Sequence, residues 1–349
     1  MEAHRRIFVF TSQITAGLCF CHHSAGLLLC HRFRWSFGAF TLFGHLFFKI
    51  FTLVHFCVFL LLTLQKYIGI FTIVNFSDPF LIIPSPILRN FALMSHIVSQ
   101  PLIIRLPQGT SSNSILAAQA SELPHGTVIS LVEQTAGRGQ RGNTWEAAPG
   151  LNITLSMLLR PVNVRPNQQF MLSEMISIAI VNFLRSMLLG SPYASKVAVK
   201  WPNDIYIGNH KICGILIEHS LTSAGIAHTI AGIGININQT QFLSLAPNPI
   251  SLAMLTGCTY NVKEAEALLA QTILDTVAHY DNPALFPELH ALYISSLWRR
   301  DGYYKYMEPA SGRIFNAAIT GVLPTGHLQL TDTDGHTYTY AFKEVTAIL

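Results

Sequence analysis

"KVAVKWPNDIYIGNHKICGILIEHSL", residues 196–221, decides the fold class of this chain. Three apolar, largely β-branched runs are broken by "PND" and "GNHK", and the second break is a hairpin signal. Adjacent strands, not strands separated by helices, result from that. Working outward, "AHTIAGIGININ" (227–238) reads as another buried strand, while "GTVISLVEQ" (126–134) and "LNITLSMLLR" (151–160) flank a loop rich in Gly and Arg. "PLIIRL" (101–106) is a short strand, and "SSNSILAAQASEL" (111–123) is a helix whose start is marked by Ser and Asn caps. Apolar residues three and four apart predict helices over 167–188, 264–282 and 287–298. Strands and helices mixed without regular β-α-β alternation argue for an α+β sheet domain. Past Trp298 the character changes, and short alternating strands over 312–349, with turns at "PTGH" and "DTDGH", predict a small β-barrel beginning near residue 304.

The composition is uneven. Residues 1–93 hold 16 of the 22 Phe, four of the six Cys and seven Lys or Arg, against two acids, Glu2 and Asp78. Residues 94–349 carry 15 Lys or Arg against 16 Asp or Glu. The net positive charge therefore belongs to the first segment, and the remainder has no electrostatic footprint of a nucleic-acid binder. Stretches such as "FGAFTLFGHLFFKIFTLVHFCVFLLLTL" (37–64) show neither a period of two nor one of 3.6. Three readings stand for 1–93: sequence upstream of a working start at Met94, one or two membrane helices, or a folded domain. The domain division expected is thus 1–93 as an apolar extension, 94–304 as a catalytic domain and 305–349 as the barrel.

Only Cys213 and Cys258 follow Met94, which offers no disulfide framework and suits a reducing cytoplasm. Cys19, Cys21, His22 and His23 lie together, but their spacing matches no common zinc pattern.

Three constellations carry chemistry. "GRGQRG" (137–142) sets two arginines on flexible backbone, suited to carboxylate or phosphate oxygens, without a P-loop's Lys-Ser/Thr ending. "KWPNDIYIGNHKICGILIE" (200–218) puts Lys200, Asn203, Asp204 and Lys211 on short neighbouring strands, a costly arrangement unless they meet a ligand or each other. "GIGININ" (232–238) adds a strand whose glycines permit close approach.

Taken together, "GRGQRGNTW", "KWPNDIYIGNHKICGILIE" and "GIGININ", in that order, resemble the biotin protein ligases over roughly residues 105–349. "SSN" (111–113) is similar to the family's Ser-Thr-Asn segment with Ser112 in place of Thr. The resemblance implies a mixed β-sheet flanked by helices, related to class II synthetases and followed by an SH3-like barrel. It implies ATP-dependent activation of biotin as biotinyl-5′-AMP, with pyrophosphate released, then transfer to one lysine of a biotin carboxyl carrier protein. ATP with Mg²⁺ brought by its phosphates, rather than by a protein metal motif, comes with that chemistry.

By the same resemblance, Ser111, Ser112, Asn113 and Gln134 line the biotin site, Gly214 and Leu216 contact biotin, and Gly137, Arg138, Gly139 and Gln140 form a closing loop. Lys211 and Arg138 act on the reacting carboxylate and adenylate. Arg141, Asn143, Trp145, Lys200, Asn203 and Asn236 face ATP, with Trp145 against the adenine. Asp204 either orients the incoming amine or helps place magnesium. Plainer readings accompany three of these: Trp145 as a packing anchor, Asn236 bonded only to neighbouring backbone, and Lys200 as a strand-end residue. Gln140 replaces a third arginine found in some members, which weakens a phosphate grip there. No helix-turn-helix pattern precedes the catalytic domain, so DNA binding is not expected, and a homodimer is left open. The competing readings are a lipoate-protein ligase of the same superfamily and, from another class, a membrane-anchored binding protein.

Overall fold

Successive side chains of a strand point to opposite faces of a sheet, and along 153–159, 213–217 and 231–235 the residues of one phase are all apolar. The computed structural model describes residues 100–139, 143–243 and 248–348. Within them a seven-stranded sheet has the order β1-β2-β3-β7-β6-β5-β4. Its strands are β1 (Ile103–Gly109), β2 (Val128–Gln134), β3 (Ile153–Leu159), β4 (Val197–Lys200), β5 (Asp204–Ile207), β6 (His210–Thr222) and β7 (Gly225–Ile235). β1 and β2 run parallel and every other neighbouring pair is antiparallel, so the sheet is mixed. The parallel step requires a crossover, supplied by helix α1 (Ser112–Gln119).

One face of the sheet is covered by helices α2 (Phe170–Met187), α4 (Val262–Tyr280) and α5 (Phe286–Ser295). Toward them point Leu155, Met157 and Leu159 of β3, Cys213 and Ile215 of β6, and Ala231, Ile233 and Ile235 of β7, all buried. α2 is long and apolar enough to cross a membrane by length and composition, but 67% of it is buried in this core. The opposite face is covered only in part. α1 packs Leu116 and Ala120 on Ile129, Leu131, Leu158 and Ile230 and leaves the β6 side of that face uncovered by helix.

The expected elements are present with shifted ends. The strand expected at 101–106 runs through Pro107 to Gly109, because Pro is tolerated on an edge strand. The first helix closes at Gln119, short of residue 123, and Ser111 at its N-cap makes no capping bond. A short helix absent from the sequence reading, α3 (Leu252–Thr256), starts where the Ser251 hydroxyl accepts from Met254 N–H.

Beyond residue 304, β8 (Tyr304–Met307), β9 (Ile314–Val322), β10 (Leu328–Asp332), β11 (Thr337–Tyr340) and β12 (Thr346–Ala347) make a second, antiparallel sheet of order β11-β10-β9-β8-β12. It joins the first sheet through Trp201, whose Nε1 donates to Gly326 O at 2.9 Å, and through Phe170, whose ring lies where a side chain at Gly326 would go. The 1–93 extension, Met94 and the Cys19–His23 cluster lie outside the described residues.

Candidate active site

The uncovered part of the sheet forms the floor of a pocket of about 750 Å³, counting its solvent-open mouth. Parity explains its lining. Residues of β3, β6 and β7 that face away from the helices are Thr154 and Ser156, then Gly214, Leu216 and Glu218, then Gly232 and Gly234. Glycine is required here for close approach. An added Cβ at Gly232 would collide with the Asn113 amide, and one at Gly234 with the Trp145 indole. At Gly214 it would sit 2.8 Å from Trp145 Cζ3. Three absent side chains thus make room for two present ones.

The pocket wall under α1 is a polar network. Gln134 Oε1 accepts from Ser112 N–H (3.0 Å) and from the Ser112 hydroxyl (3.3 Å). Ser156 Oγ lies 2.7 Å from Ser112 Oγ and also bonds Asn113 Oδ1. Asn113 Nδ2 donates to Glu218 Oε2 (2.7 Å) and Leu216 O (3.3 Å). The same Glu218 oxygen receives Arg138 Nη2 at 3.0 Å, and Arg138 Nε reaches Ser111 Oγ at 3.5 Å. Ser111, Ser112 and Asn113 are buried, so their hydrogen bonds decide the orientation of each group.

Arg138 stands at the base of the Gly/Arg loop, which is pinned by two backbone bonds: Gly139 N–H to Asn143 O (2.6 Å) and Trp145 N–H to Gly137 O (3.1 Å). A second cavity, lined also by Glu218, Ala136 and Gly137, shares Arg138, Gly139, Asn143, Thr144 and Leu216 with the pocket.

Further along β6 is a second cation. Lys211 Nζ lies 2.6 Å from Asp204 Oδ2, and it stands 5.9 Å from the centroid of the Trp145 ring. Its backbone is held on both sides, by Tyr206 of β5 and by residues 248–250, with Lys211 N–H donating to Asn248 O (2.9 Å) and Ile250 N–H to Lys211 O (3.0 Å). Lys211 Cε is next to Gly214, and from there to Glu218 is four residues of strand, about 13 Å. A cation–carboxylate pair therefore stands toward each end of the glycine floor, Lys211 with Asp204 inside the pocket and Arg138 with Glu218 where the second cavity adjoins it. Such a groove suits an elongated ligand carrying an anionic group.

Of the residues singled out from sequence, Ser111, Ser112, Asn113, Gln134, Arg138, Gly139, Asn143, Trp145, Asn203, Asp204, Lys211, Gly214 and Leu216 line this pocket, and Gly137 lines its neighbour. Two others do not line it. Lys200 donates to Tyr206 OH (3.0 Å) with its ammonium 5.8 Å from the Trp298 ring, because residues 296–298 cap β4 through Val199. Burial there pushes its pKa below the ordinary lysine value, against the pull of Asp204. Asn236 ties chain to chain instead: its N–H donates to Ile212 O and its Nδ2 to Ile250 O. Gln140 and Arg141 lie outside the described residues.

Sequence reasoning misses Thr154 and Phe342 of the pocket, Glu218 of its neighbour, and Ser156, which bonds the wall from behind. Ser156 and Glu218 carry a usable signal, since each lies in phase with a pocket residue on its own strand. Phe342 comes from the second sheet, and no local pattern places it here.

Comparison with known proteins agrees with this geometry. Residues 106–236 match the Biotin/lipoate A/B protein ligase family. The chain is 39% identical over 132 residues to the bifunctional ligase/repressor BirA of Escherichia coli, covering 38% of this chain and 39% of that protein. It is 31% identical over 134 residues to the biotin–[acetyl-CoA-carboxylase] ligase of Mycobacterium tuberculosis, covering 38% and 47%. The match thus spans less than half the length of either relative. A solved biotin protein ligase from Aquifex aeolicus, in complex with biotin and ATP, shares the fold with a TM-score of 0.57 at 21% identity, over 71% of this chain and 98% of that one. Sequence motifs, sheet topology and family match converge on residues 106–236, the part of the chain that is similar to the Biotin/lipoate A/B protein ligase family.

Proposed function

We propose that this chain is an ATP-dependent biotin protein ligase. One observation carries the reading: a polar wall of buried Ser112 and Asn113 and half-buried Gln134 shares one glycine-floored pocket with two cations, Arg138 and Lys211. The wall supplies donors and acceptors for a neutral polar ring such as the biotin ureido group. The cations supply charge for a carboxylate that is becoming an acyl phosphate.

In the first step a biotin carboxylate oxygen attacks the α-phosphorus of ATP, the bond to the β-phosphate oxygen breaks, and pyrophosphate leaves. Lys211 is the group best placed to neutralise charge at that carboxylate, because strand pairing on both sides of it fixes its position. Asp204 holds the Lys211 ammonium in turn. In the second step a carrier lysine amine attacks the acyl carbon, AMP departs and the nitrogen loses a proton. Arg138 retains the adenylate between the steps. Magnesium supplies charge to the ATP phosphates when bound. Asp204 in the pocket and Glu218 in its neighbour are each engaged by a cation, so this donor set does not fit a protein-built magnesium site.

The test is pyrophosphate release by the full chain with ATP and either biotin or lipoate. Release with biotin alone is expected. Release with lipoate alone, or with neither acid, overturns the reading.

A further inference from the structure

Glu218 belongs to none of the roles above, yet one of its oxygens, Oε2, holds two residues of the pocket. It accepts from Asn113 Nδ2 at 2.7 Å and from Arg138 Nη2 at 3.0 Å. The two bonds differ in setting. Asn113 is buried, and its amide is fixed at the other end by Ser156, so this half of the arrangement is rigid. The Arg138 and Glu218 side chains are 45% and 42% exposed, so their ion pair is hydrated, screened by salt and weak. A weak pair between a cation and a carboxylate is one that a second anion can displace.

We propose that Glu218 is a positioning residue that parks Arg138 in the empty pocket and yields it to an anionic ligand, while keeping its hold on Asn113. This rests on the biotin ligase reading only for the identity of the anion, a carboxylate or the phosphate that replaces it. Three features of the geometry support the exchange. Glu218 is in phase with Gly214 and Leu216, so its carboxylate is presented to the same side of the sheet as the ligand floor. Arg138 and Glu218 together line the cavity that adjoins the pocket, so the guanidinium needs a rotation of its own side chain and not a rebuilt backbone to turn from one to the other. Arg138 Nε keeps only a long 3.5 Å contact to Ser111, which adds little to hold it in place.

The exchange sets a sign for affinity. In the wild type, ligand anion and Glu218 compete for one guanidinium, and Glu218 also repels the anion. Glu218→Gln keeps an oxygen for Asn113 and removes the competition.

The experiment has two arms on the full chain. In the first, ligand-free wild type and Glu218→Gln are labelled with phenylglyoxal, which reacts with guanidinium groups freed from ion pairs, and modification of Arg138 is followed by mass spectrometry. A severalfold faster labelling of Arg138 in the variant is expected, together with a rise in the wild-type rate toward it as salt increases. Equal, salt-independent rates overturn the proposal. In the second arm, biotin and its uncharged methyl ester are titrated into both proteins. Severalfold tighter binding of biotin by Glu218→Gln, with the ester unchanged, is expected. Equal changes for both ligands would mean that Glu218 only shapes the wall, which also overturns the proposal. A wild type that binds neither ligand counts against the biotin reading alone, because the labelling arm then decides the role of Glu218 by itself.

Discussion

Arg138 and Lys211 line the same pocket and each faces one carboxylate, and the two pairs are built differently. Lys211 springs from a strand paired on both sides, approaches Asp204 to 2.6 Å, and both side chains are about 30% exposed. Arg138 springs from a loop held by two backbone bonds, approaches Glu218 to 3.0 Å, and is nearly half exposed. The same chemistry is fixed in one place and transferable in the other. On the proposed reading, fixed charge serves a step that needs preorganisation, and transferable charge serves retention of a bound intermediate.

The largest effect is expected where charge is fixed. Lys211→Ala should lower pyrophosphate release by roughly 10²–10³-fold, the size found when one preorganised charge stabiliser is removed. Far-UV circular dichroism should be unchanged, because Asp204 is exposed enough for water to replace its partner. A release rate within tenfold of wild type would erase the distinction between the two pairs.

Next in size is the floor between them. Gly234→Ala drives a methyl group into the Trp145 indole, and overpacking of this kind costs about 1–3 kcal/mol. Chemical denaturation measures the loss, and biotin titration should show weaker binding. An unchanged denaturation midpoint would mean that Trp145 moves aside freely.

Arg138→Ala should be milder for the first step and selective for the second. Pyrophosphate release should fall less than about tenfold, or about 1.4 kcal/mol of barrier. Escaped adenylate should then acylate lysines of bulk albumin, visible as biotin on a blot. A variant that leaks nothing while forming adenylate would show that Arg138 does not retain it.

The smallest effect is set by a third pair, away from the pocket. His290 Nδ1 lies 2.8 Å from Glu174 Oε1, and Glu174 is fully buried in α2. The hydrogen bond to Glu174 raises the His290 pKa above 6.5, and burial raises the pKa of Glu174. A raised histidine contributes stability that is fully present below pH 6.5 and lost as pH rises through its folded value. Wild type should therefore lose stability relative to Glu174→Gln as pH rises from 6.5 through the raised His290 value. A constant difference across that window would show that the pair holds no extra proton.

The legibility of these features in sequence tracks the range of the interaction. Strands β4 to β7 are readable because "PND" and "GNHK" are local turn signals, and the pocket glycines because two neighbouring strands that spend one and two in-phase positions on glycine must admit something else. The fate of Lys200 is not, since it depends on Trp298, about a hundred residues away, covering the edge strand. Asn236 continues from Gly232 and Gly234 in phase, but β7 ends at Ile235 and the chain turns toward α3, where backbone takes the amide. Phe342 reaches the pocket only through packing of the second sheet, which no periodicity encodes. Glu218 lies inside the 200–218 motif and in phase with Gly214, yet its partner is set by the path of a loop, which the motif does not encode.

Trp145 gives the molecule an optical handle of its own. Its indole N–H is buried without an acceptor among the described residues, and an ammonium stands 5.9 Å from its ring. Trp201 already donates to Gly326 O, and Trp298 is stacked under the Arg299 guanidinium at 4.1 Å, both outside the glycine floor. A ligand that brings an oxygen to the indole, or draws Lys211 away from it, changes the field on that chromophore directly, whereas Trp201 is one step removed, through its ring contact with Phe342. The part of the intrinsic fluorescence change that Trp145→Phe abolishes therefore reports occupancy of this pocket without any added label.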